Sequence, residues 1–442
     1  MFDRYHLLHA LEAYREVDIL NSRGFRTDHL LHQLRRDGGE EWLFICHVYR
    51  KRNGYEQPEQ IRIRIRGCLT PTLYDTLTGG TRSVEYHHDG SWTVIDHVFY
   101  SEDSLLLRLT PSEPGAADES CGVPAVLSVF PPESEWQELP EPHAFQLSEP
   151  NVLLLDMAEY SLNGEPMRPQ EELLRIDNAV RERLGYPRRM DQVAQPYTIT
   201  ERPEAHDELT LRFHIESQLA LTGVKLGIER KDVRRITLNG APVALEPDGY
   251  FTDECISTLP LPEIRSGSNE LIVTLGFNEK TNVEWCYLLG AFGVLTQGNA
   301  SVLTPMPESL VYGDVTRQLL PFYGANLTYE TELTADGEHG VTLFVPRFSG
   351  PLLRVSVDGE DRGVIAFAPH TLELGRLSAG KHRVCLRLYS NRANSFACLH
   401  NTNSEMIWFG PTCWRTEGNE WAYQYTLKPF GILQNPRIHL HD

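Results

Sequence analysis

Glu284 stands beside Trp285 in the stretch Asn282-Val283-Glu284-Trp285-Cys286-Tyr287. An acid next to a large aromatic suits a sugar pocket, because the ring stacks on the apolar face of a pyranose while the carboxyl works at the glycosidic centre. Glycoside hydrolysis requires a second carboxylate, about 5–5.5 Å away for retention or about 6.5–9.5 Å away for inversion. With 61 Asp and Glu in the chain, second acids are too plentiful for the sequence to choose one. Glu284 is therefore a catalytic candidate without an assigned partner. The competing reading has it satisfying backbone donors at a corner of a β-fold.

A second group of candidates lies toward the C-terminus. Asn394, His400, Asn401 and Asn403 fall within a polar stretch, and Trp408, Phe409, Trp414, Trp421, Tyr423 and Tyr425 are concentrated nearby. Asn and His side chains bond sugar hydroxyls, and aromatic rings stack on C–H faces. Candidate ligand-binding residues are thus Trp285, Asn394, His400, Asn401 and Trp408. Trp421, Tyr423 and Tyr425 alternate, so in a strand all three share a face. The structural alternative is an Asn-rich turn beside an ordinary aromatic core.

Other chemistry finds little support. His87 and His88 are adjacent and, in a strand, point to opposite faces, while His439 and His441 share a face at a terminus. Cys398 and His400 would share a strand face, but two ligands make no metal site. The eight cysteines contain no Cys-x-x-Cys, which excludes a zinc ribbon and a disulfide scaffold and reads as small core residues in a reducing compartment. There is no Gly-x-Ser-x-Gly elbow and no Gly-rich phosphate loop. No metal and no cofactor is expected from these residues.

The 442 residues carry 41 Lys and Arg against 61 Asp and Glu, a net charge of −20. That field repels phosphate backbones, so nucleic acid is an unfavourable partner. The apolar runs, such as residues 152–155, are far too short to span a bilayer, and the charged first twenty residues lack the apolar core of a signal peptide. The expected location is the cytoplasm, with no membrane partner.

These candidates must be held by a mostly β chain. Leu7, Leu8, Leu11 and Tyr14 keep a helical period, and Asp28 is placed to cap a turn carrying Leu30, Leu31 and Leu34, so residues 1–35 read as a helical stub. After Gly38-Gly39 the period becomes two. Residues 60–66 alternate strictly, with Ile61, Ile63 and Ile65 on one face and Arg62, Arg64 and Arg66 on the other. Further strands at 73–77, 83–87, 92–98, 105–109, 125–130, 144–147 and 152–158 complete a β-sandwich over residues 36–168. Pro169 opens a connecting helix over 169–190, with Leu173, Ile176, Val180 and Leu184 as its apolar stripe and Gly185 and Pro187 at its end.

The remaining half contains an internal repeat. The first copy runs through residues 223–229, then Arg235-Ile236-Thr237-Leu238-Asn239-Gly240, then 259–262, then 267–275 opening on Gly267-Ser268-Asn269. The second runs through 340–346, then Leu353-Arg354-Val355-Ser356-Val357-Asp358-Gly359, then 371–374, then 380–388 opening on Gly380-Lys381-His382. Asn-Gly and Asp-Gly suit tight hairpins because both central residues tolerate positive φ. Two similar sandwiches are predicted, over 191–300 and 301–442.

The order of a strand ending in Asn-Gly followed by a strand led by Gly-x-Asn resembles the sugar-binding jelly rolls of glycoside hydrolase family 2 and related galactose-binding-like domains. The second copy departs from it, with Asp358 for Asn and His382 for the later Asn. Segments across most of residues 30–440 resemble the C-terminal region of large α-L-rhamnosidases, especially glycoside hydrolase family 106. They are residues 42–47, 73–79, 282–294, 321–329 and 394–401. The resemblance implies tandem jelly-roll sandwiches, carbohydrate as partner, and a catalytic barrel of about 250 residues as a neighbouring domain or chain. The strand–helix alternation of such a barrel is absent, so no catalytic residue is carried over. Galactose-binding-like domains often hold a structural Ca²⁺, which nothing in the sequence localises.

The expectation is an all-β, carbohydrate-associated accessory portion of a rhamnosidase-like hydrolase. A free-standing carbohydrate-binding or structural protein, and a glycosidase with a site between sandwiches, are the alternatives.

Overall fold

The computed structural model describes residues 4–48, 58–101, 103–112, 132–189, 203–404, 406, 413–414 and 416–442. Among them are many antiparallel strands and three short α-helices, α1 (Arg4–Leu11), α2 (Leu173–Leu184) and α3 (Ala393–Phe396). The class is all-β, in tandem sandwiches.

The first sandwich pairs Val17–Asn21, Glu59–Arg66, Trp92–Phe99 and His87–Asp89 in one sheet. Its other sheet takes Leu30–Asp37, Glu40–His47, Ser104–Pro111, Leu69–Tyr74 and Thr81–Ser83. Ile61, Ile63 and Ile65 are buried between the sheets, as their alternation requires. The helical reading of residues 1–35 holds only for α1 and the 3₁₀ turn Glu12–Tyr14. Leu30, Leu31 and Leu34 lie instead in a strand. The Gly38-Gly39 turn, with both φ positive, folds that strand back onto Glu40–His47, and this pairing overrides the local helical period.

The second sandwich is built from Asn151–Leu155, Cys286–Gly290, Lys225–Glu229, Asp253–Pro260 and Gly249–Phe251 against a larger sheet that includes Met157–Leu162, Asp207–Ser217, Gly267–Phe277 and Val233–Leu238. In the third, Gln137–Glu138, Arg437–His441, Gly340–Phe344 and Thr371–Arg376 face Ala144–Leu147, Leu327–Ala335, Gly380–Leu388, Leu353–Val357 and Glu360–Ile365. Strands expected at 144–147 and 152–158 are therefore present, but they pair within the third and second sandwiches and not with the N-terminal sheets. The strand expected at 125–130 lies outside the described residues.

The repeat has a topological counterpart. In the second sandwich Lys225–Glu229 pairs with Asp253–Pro260 and Val233–Leu238 pairs with Gly267–Phe277. In the third, Gly340–Phe344 pairs with Thr371–Arg376 and Leu353–Val357 with Gly380–Leu388. The turns match as well: Asn239 and Gly240 have φ of 51° and 80°, and Asp358 and Gly359 have 53° and 86°. Those values suit the two-residue hairpin turns that need positive φ at both centres.

The connecting helix begins later than Pro169 suggests. Arg168–Glu172 is an edge strand on Met157–Leu162, a place where the missing N–H of proline costs no ladder bond. The Glu172 side chain then caps α2 by accepting from the Arg175 N–H at 3.1 Å. Leu173, Ile176 and Val180 are fully buried in the second core, and Gly185 closes the helix in the left-handed region.

Candidate functional site

The strand run Val152-Leu153-Leu154-Leu155-Asp156-Met157-Ala158 places an acid inside an otherwise apolar, buried stretch. Asp156 is 1% exposed, and an ionised carboxylate there requires partners. It has two. Tyr425 donates its hydroxyl to Oδ1 at 2.6 Å, and His400 Nε2 lies 2.8 Å from Oδ2. The other imidazole nitrogen, Nδ1, lies 2.8 Å from the Ala422 carbonyl. A carbonyl and a carboxylate both accept, so the ring meets both by donating from each nitrogen, as an imidazolium. The His400 pKa is raised: burial opposes the charge, but Asp156 and Glu172 outweigh it.

Glu172 completes the cluster. Its Oε1 accepts from the Trp285 indole N–H at 2.8 Å while Oε2 caps α2. Burial pushes its carboxyl up to about 7, against the Trp285 and backbone donors, with Asp156 adding to the rise. The Trp285 and His400 rings meet edge to face at 6.1 Å. His400 also lies against Tyr425 and Trp421, at 5.3 and 5.9 Å. Trp421 in turn meets Tyr423 at 4.5 Å. The Arg175 guanidinium sits 4.4 Å over Trp421 and donates to the Thr416 carbonyl at 2.6 Å. The strand expected to carry Trp421, Tyr423 and Tyr425 on one face is not formed: the segment is irregular, joined to Asn401 by one isolated bridge, with Tyr423 donating to Glu171 and Tyr425 to Asp156.

Glu284 belongs to a neighbouring set of charges. Its Oε1 lies 2.5 Å from Arg189 Nη2, and Arg189 also donates to the Val283 carbonyl and leans on Asp177 at 3.6 Å. Asp177 is wholly buried and paired with Arg181 at 3.0 Å. Arg181 in turn holds the Thr281 and Glu279 carbonyls. Glu229, raised by burial and by Glu284, accepts from Asn282 at 3.2 Å. The Cys286 thiol between them is pushed up to about 12 by burial and then by both acids, so it is not a nucleophile at neutral pH.

Of the residues singled out in the sequence, Trp285 and His400 are brought together. Asn394 bonds both ways with the Lys428 backbone at 2.8 Å. Asn401 donates to the Cys413 carbonyl and accepts from the Asn403 N–H. Trp408 lies outside the described residues. Sequence reasoning missed Asp156 and Glu172, and singled out Tyr425 only as one of an aromatic row, without its acid partner. The one available signal was the acid interrupting the run 152–158. Among the described residues no group of three or more His, Cys, Asp and Glu side chains is arranged to hold a metal ion.

Three of the resembling segments converge here. The stretches 282–294, 321–329 and 394–401 meet through Trp285–His400, through Tyr287–Phe396 at 5.4 Å, and through the Ser395 hydroxyl donating to the Phe322 carbonyl at 2.8 Å. They build one joint between the second and third sandwiches. This joint holds buried, hydrogen-bonded acids against His400 and fixes the segment that follows Gly380–Leu388 onto the second core.

No family model matches the chain, and no characterised protein matches it in sequence. Among solved structures, a rhamnosidase from Novosphingobium sp. PP1Y is similar over 98% of this chain and 26% of its own, at 12% identity and a TM-score of 0.39. A Streptomyces avermitilis alpha-L-rhamnosidase, complexed with L-rhamnose, is similar over 96% of this chain and 38% of its own, at 11% identity and a TM-score of 0.23. A GH2 beta-galacturonidase from Eisenbergiella tayi is similar over 55% of this chain and 38% of its own, at 10% identity and a TM-score of 0.20. The chain spans about a quarter of the first of these and under two fifths of the others. No helix of the described residues is long and apolar enough to cross a membrane.

Proposed function

We propose that this chain is a carbohydrate-associated accessory portion of a glycoside hydrolase of the α-L-rhamnosidase type, a rigid tandem of galactose-binding-like sandwiches that supports a catalytic barrel and works in the cytoplasm. One observation carries the reading beyond the sequence resemblance. Three of the segments that bear the resemblance are used to weld the second and third sandwiches together, and the acids within the joint are engaged in it. Glu284 is held by Arg189, while Asp156 and Glu172 are sealed beneath Trp285, His400 and Tyr425. Asp156 and Glu172, each 1% exposed, offer no approach for a glycosidic oxygen, and Glu284, a third exposed, is already engaged by Arg189.

The test has two arms. Immunoblotting of source cells against the second sandwich is expected to show a band far above 50.4 kDa; a band at that mass would favour a free-standing binding or structural protein instead. The purified chain is expected to leave p-nitrophenyl α-L-rhamnoside intact. Turnover that disappears in Glu284→Gln would overturn the reading in favour of a glycosidase.

A further inference from the structure

A cleft of about 300 Å³ opens between the first and third sandwiches, lined by none of the residues of the joint. Its volume is at the lower end of the range for small-molecule sites. One wall comes from the end of Leu69–Tyr74 with the following turn, and from the connection between Trp92–Phe99 and Ser104–Pro111. The other is the connection between Glu360–Ile365 and Thr371–Arg376.

Its side chains form a particular chemical set. Phe367 is 45% exposed on the third-sandwich wall and meets no other aromatic ring among the described residues. Tyr74 lines the first-sandwich wall, edge-on against Trp42 at 5.0 Å and with the Arg108 guanidinium 5.7 Å over its ring. Asp75 is pinned by the Leu77 and Thr78 N–H groups at 2.8 and 3.1 Å, and Asp103 by the Ser104 N–H at 2.7 Å. A carboxylate offers about four acceptor positions, so these bonds orient the two acids and leave acceptor capacity for a ligand. Arg82 lines the same cleft and enters no ion pair among the described residues.

We propose that this cleft binds an uncharged sugar unit of a glycan, with Phe367 and Tyr74 against the ring's C–H faces, Asp75 and Asp103 accepting from hydroxyls, and Arg82 donating to ring or hydroxyl oxygens. The inference rests on the carbohydrate-associated reading above and gives it a location. Charge decides the ligand class. Two carboxylates, of which Asp103 is raised by burial against the Ser104 and Tyr100 N–H groups, oppose one guanidinium, and His97, the remaining basic group in the wall, is held down to about 4 by burial and then by Arg82, so it is uncharged at neutral pH. The cleft is net negative, which disfavours uronates and phosphorylated sugars. Aromatic faces with paired acceptors favour neutral pyranoses.

The experiment is a glycan array of neutral and uronate-bearing oligosaccharides, followed by calorimetry with the strongest neutral glycan on wild type, Phe367→Ala and Asp103→Asn. Wild type is expected to bind neutral glycans, and each substitution to weaken binding tenfold or more. Phe367 is exposed, so Phe367→Ala is expected to melt within a few degrees of wild type and carries the test if Asp103→Asn misfolds. Neutral-glycan binding that both variants retain would overturn the cleft and leave the accessory reading standing. Preference for uronates, or no glycan bound at millimolar concentration, would also overturn the cleft; the size of the native product then decides the accessory reading separately.

Discussion

The Asp358 carboxylate lies 2.6 Å from His382 Nδ1, in the place where the preceding sandwich holds Asn239 and Asn269. There the amide of Asn239 donates to Asn269 at 2.8 Å, while its oxygen accepts from the Glu270 N–H. Asp358 likewise accepts from the Arg383 N–H at 2.9 Å. Asn269 reaches back to the Arg265 carbonyl and His382 to that of Ser378, each at 2.8 Å. The departure of the second copy from the Asn-Gly pattern is thus a matched pair of changes. One hydrogen-bond geometry is kept, with an amide pair exchanged for an ion pair.

This exchange makes the Asp358 turn of the third sandwich pH-sensitive where the matching Asn239 turn of the second, built from amides, is not. The Ser378 carbonyl and then Asp358 raise the pKa of His382, so its contribution is full below about 6.5 and is lost as pH rises through the higher folded value. Asp358 is lowered by His382 and then by the Arg383 N–H, so its contribution is present above about 3.8 and is lost as pH falls through the lower folded value. His382→Ala is expected to lower the thermal midpoint more at pH 6 than at pH 9. The double replacement Asp358→Asn with His382→Asn, which copies the second sandwich, is expected to regain most of the loss and flatten the dependence. Melting curves across that range check both.

The joint gives a second pH dependence of the same sign. Glu172 titrates near 7 in the folded chain against about 4.5 when unfolded, so the folded state binds the extra proton between those values and stability falls as pH rises through the window. The size is at most on the order of 3 kcal/mol. His400, raised in the folded state, adds a loss above about 6.5. Urea midpoints are expected to drop from pH 5 to pH 8. Glu172→Gln is expected to be less stable at pH 5, having lost its cap to the Arg175 N–H, and to show a shallower slope. An unchanged slope would place the titration elsewhere.

Fold class and repeat were legible because period-two alternation and Asn-Gly or Asp-Gly turns act locally. The strict Ile–Arg alternation of 60–66 and the paired turns at 239–240 and 358–359 needed no tertiary information. Sheet membership was not legible. Ala144–Leu147 reads as a strand from its residues, but its partner Leu327–Ala335 lies far along the chain, and nothing in four residues specifies that. The same separation hid the joint. Asp156 meets His400 and Tyr425 across the chain, so Trp285 and His400 could be named as polar or aromatic candidates without the acids that bind them. The leucines at 30, 31 and 34 misled because a glycine turn and a strong neighbouring strand outweigh a short helical period.

Arg181 and Glu284 belong to one charge cluster but differ in what their loss exposes. Arg181 is 4% exposed, is paired with the wholly buried Asp177, and carries two backbone carbonyls. Arg181→Met leaves Asp177 to Arg189 alone, at 3.6 Å. Breaking a buried pair in this way costs about 3–5 kcal/mol. The Glu284 side chain is a third exposed, and in Glu284→Gln water takes over part of its role. That substitution is expected to cost under about 1 kcal/mol. Denaturant unfolding should rank the two clearly, and a reversed order would mean that Glu284 supports more than its contact with Arg189.

Gly324 marks a close approach between two of the segments that form the joint. A Cβ built there runs into the Ser395 hydroxyl and comes within 3.2 Å of the Arg392 Cα. The hydroxyl cannot simply turn away, because it donates to the Phe322 carbonyl at 2.8 Å. Gly324→Ala is therefore expected to push 321–329 away from α3, at a cost of about 1–3 kcal/mol as for other overpacked sites. Ser395→Ala removes the clashing oxygen but leaves the Phe322 carbonyl without its donor, a loss of about 1 kcal/mol. The double variant is expected to be more stable than the sum of the two losses, since the smaller side chain at 395 makes room for the one added at 324. Strict additivity in a double-mutant cycle would show that these segments do not press on one another at this point.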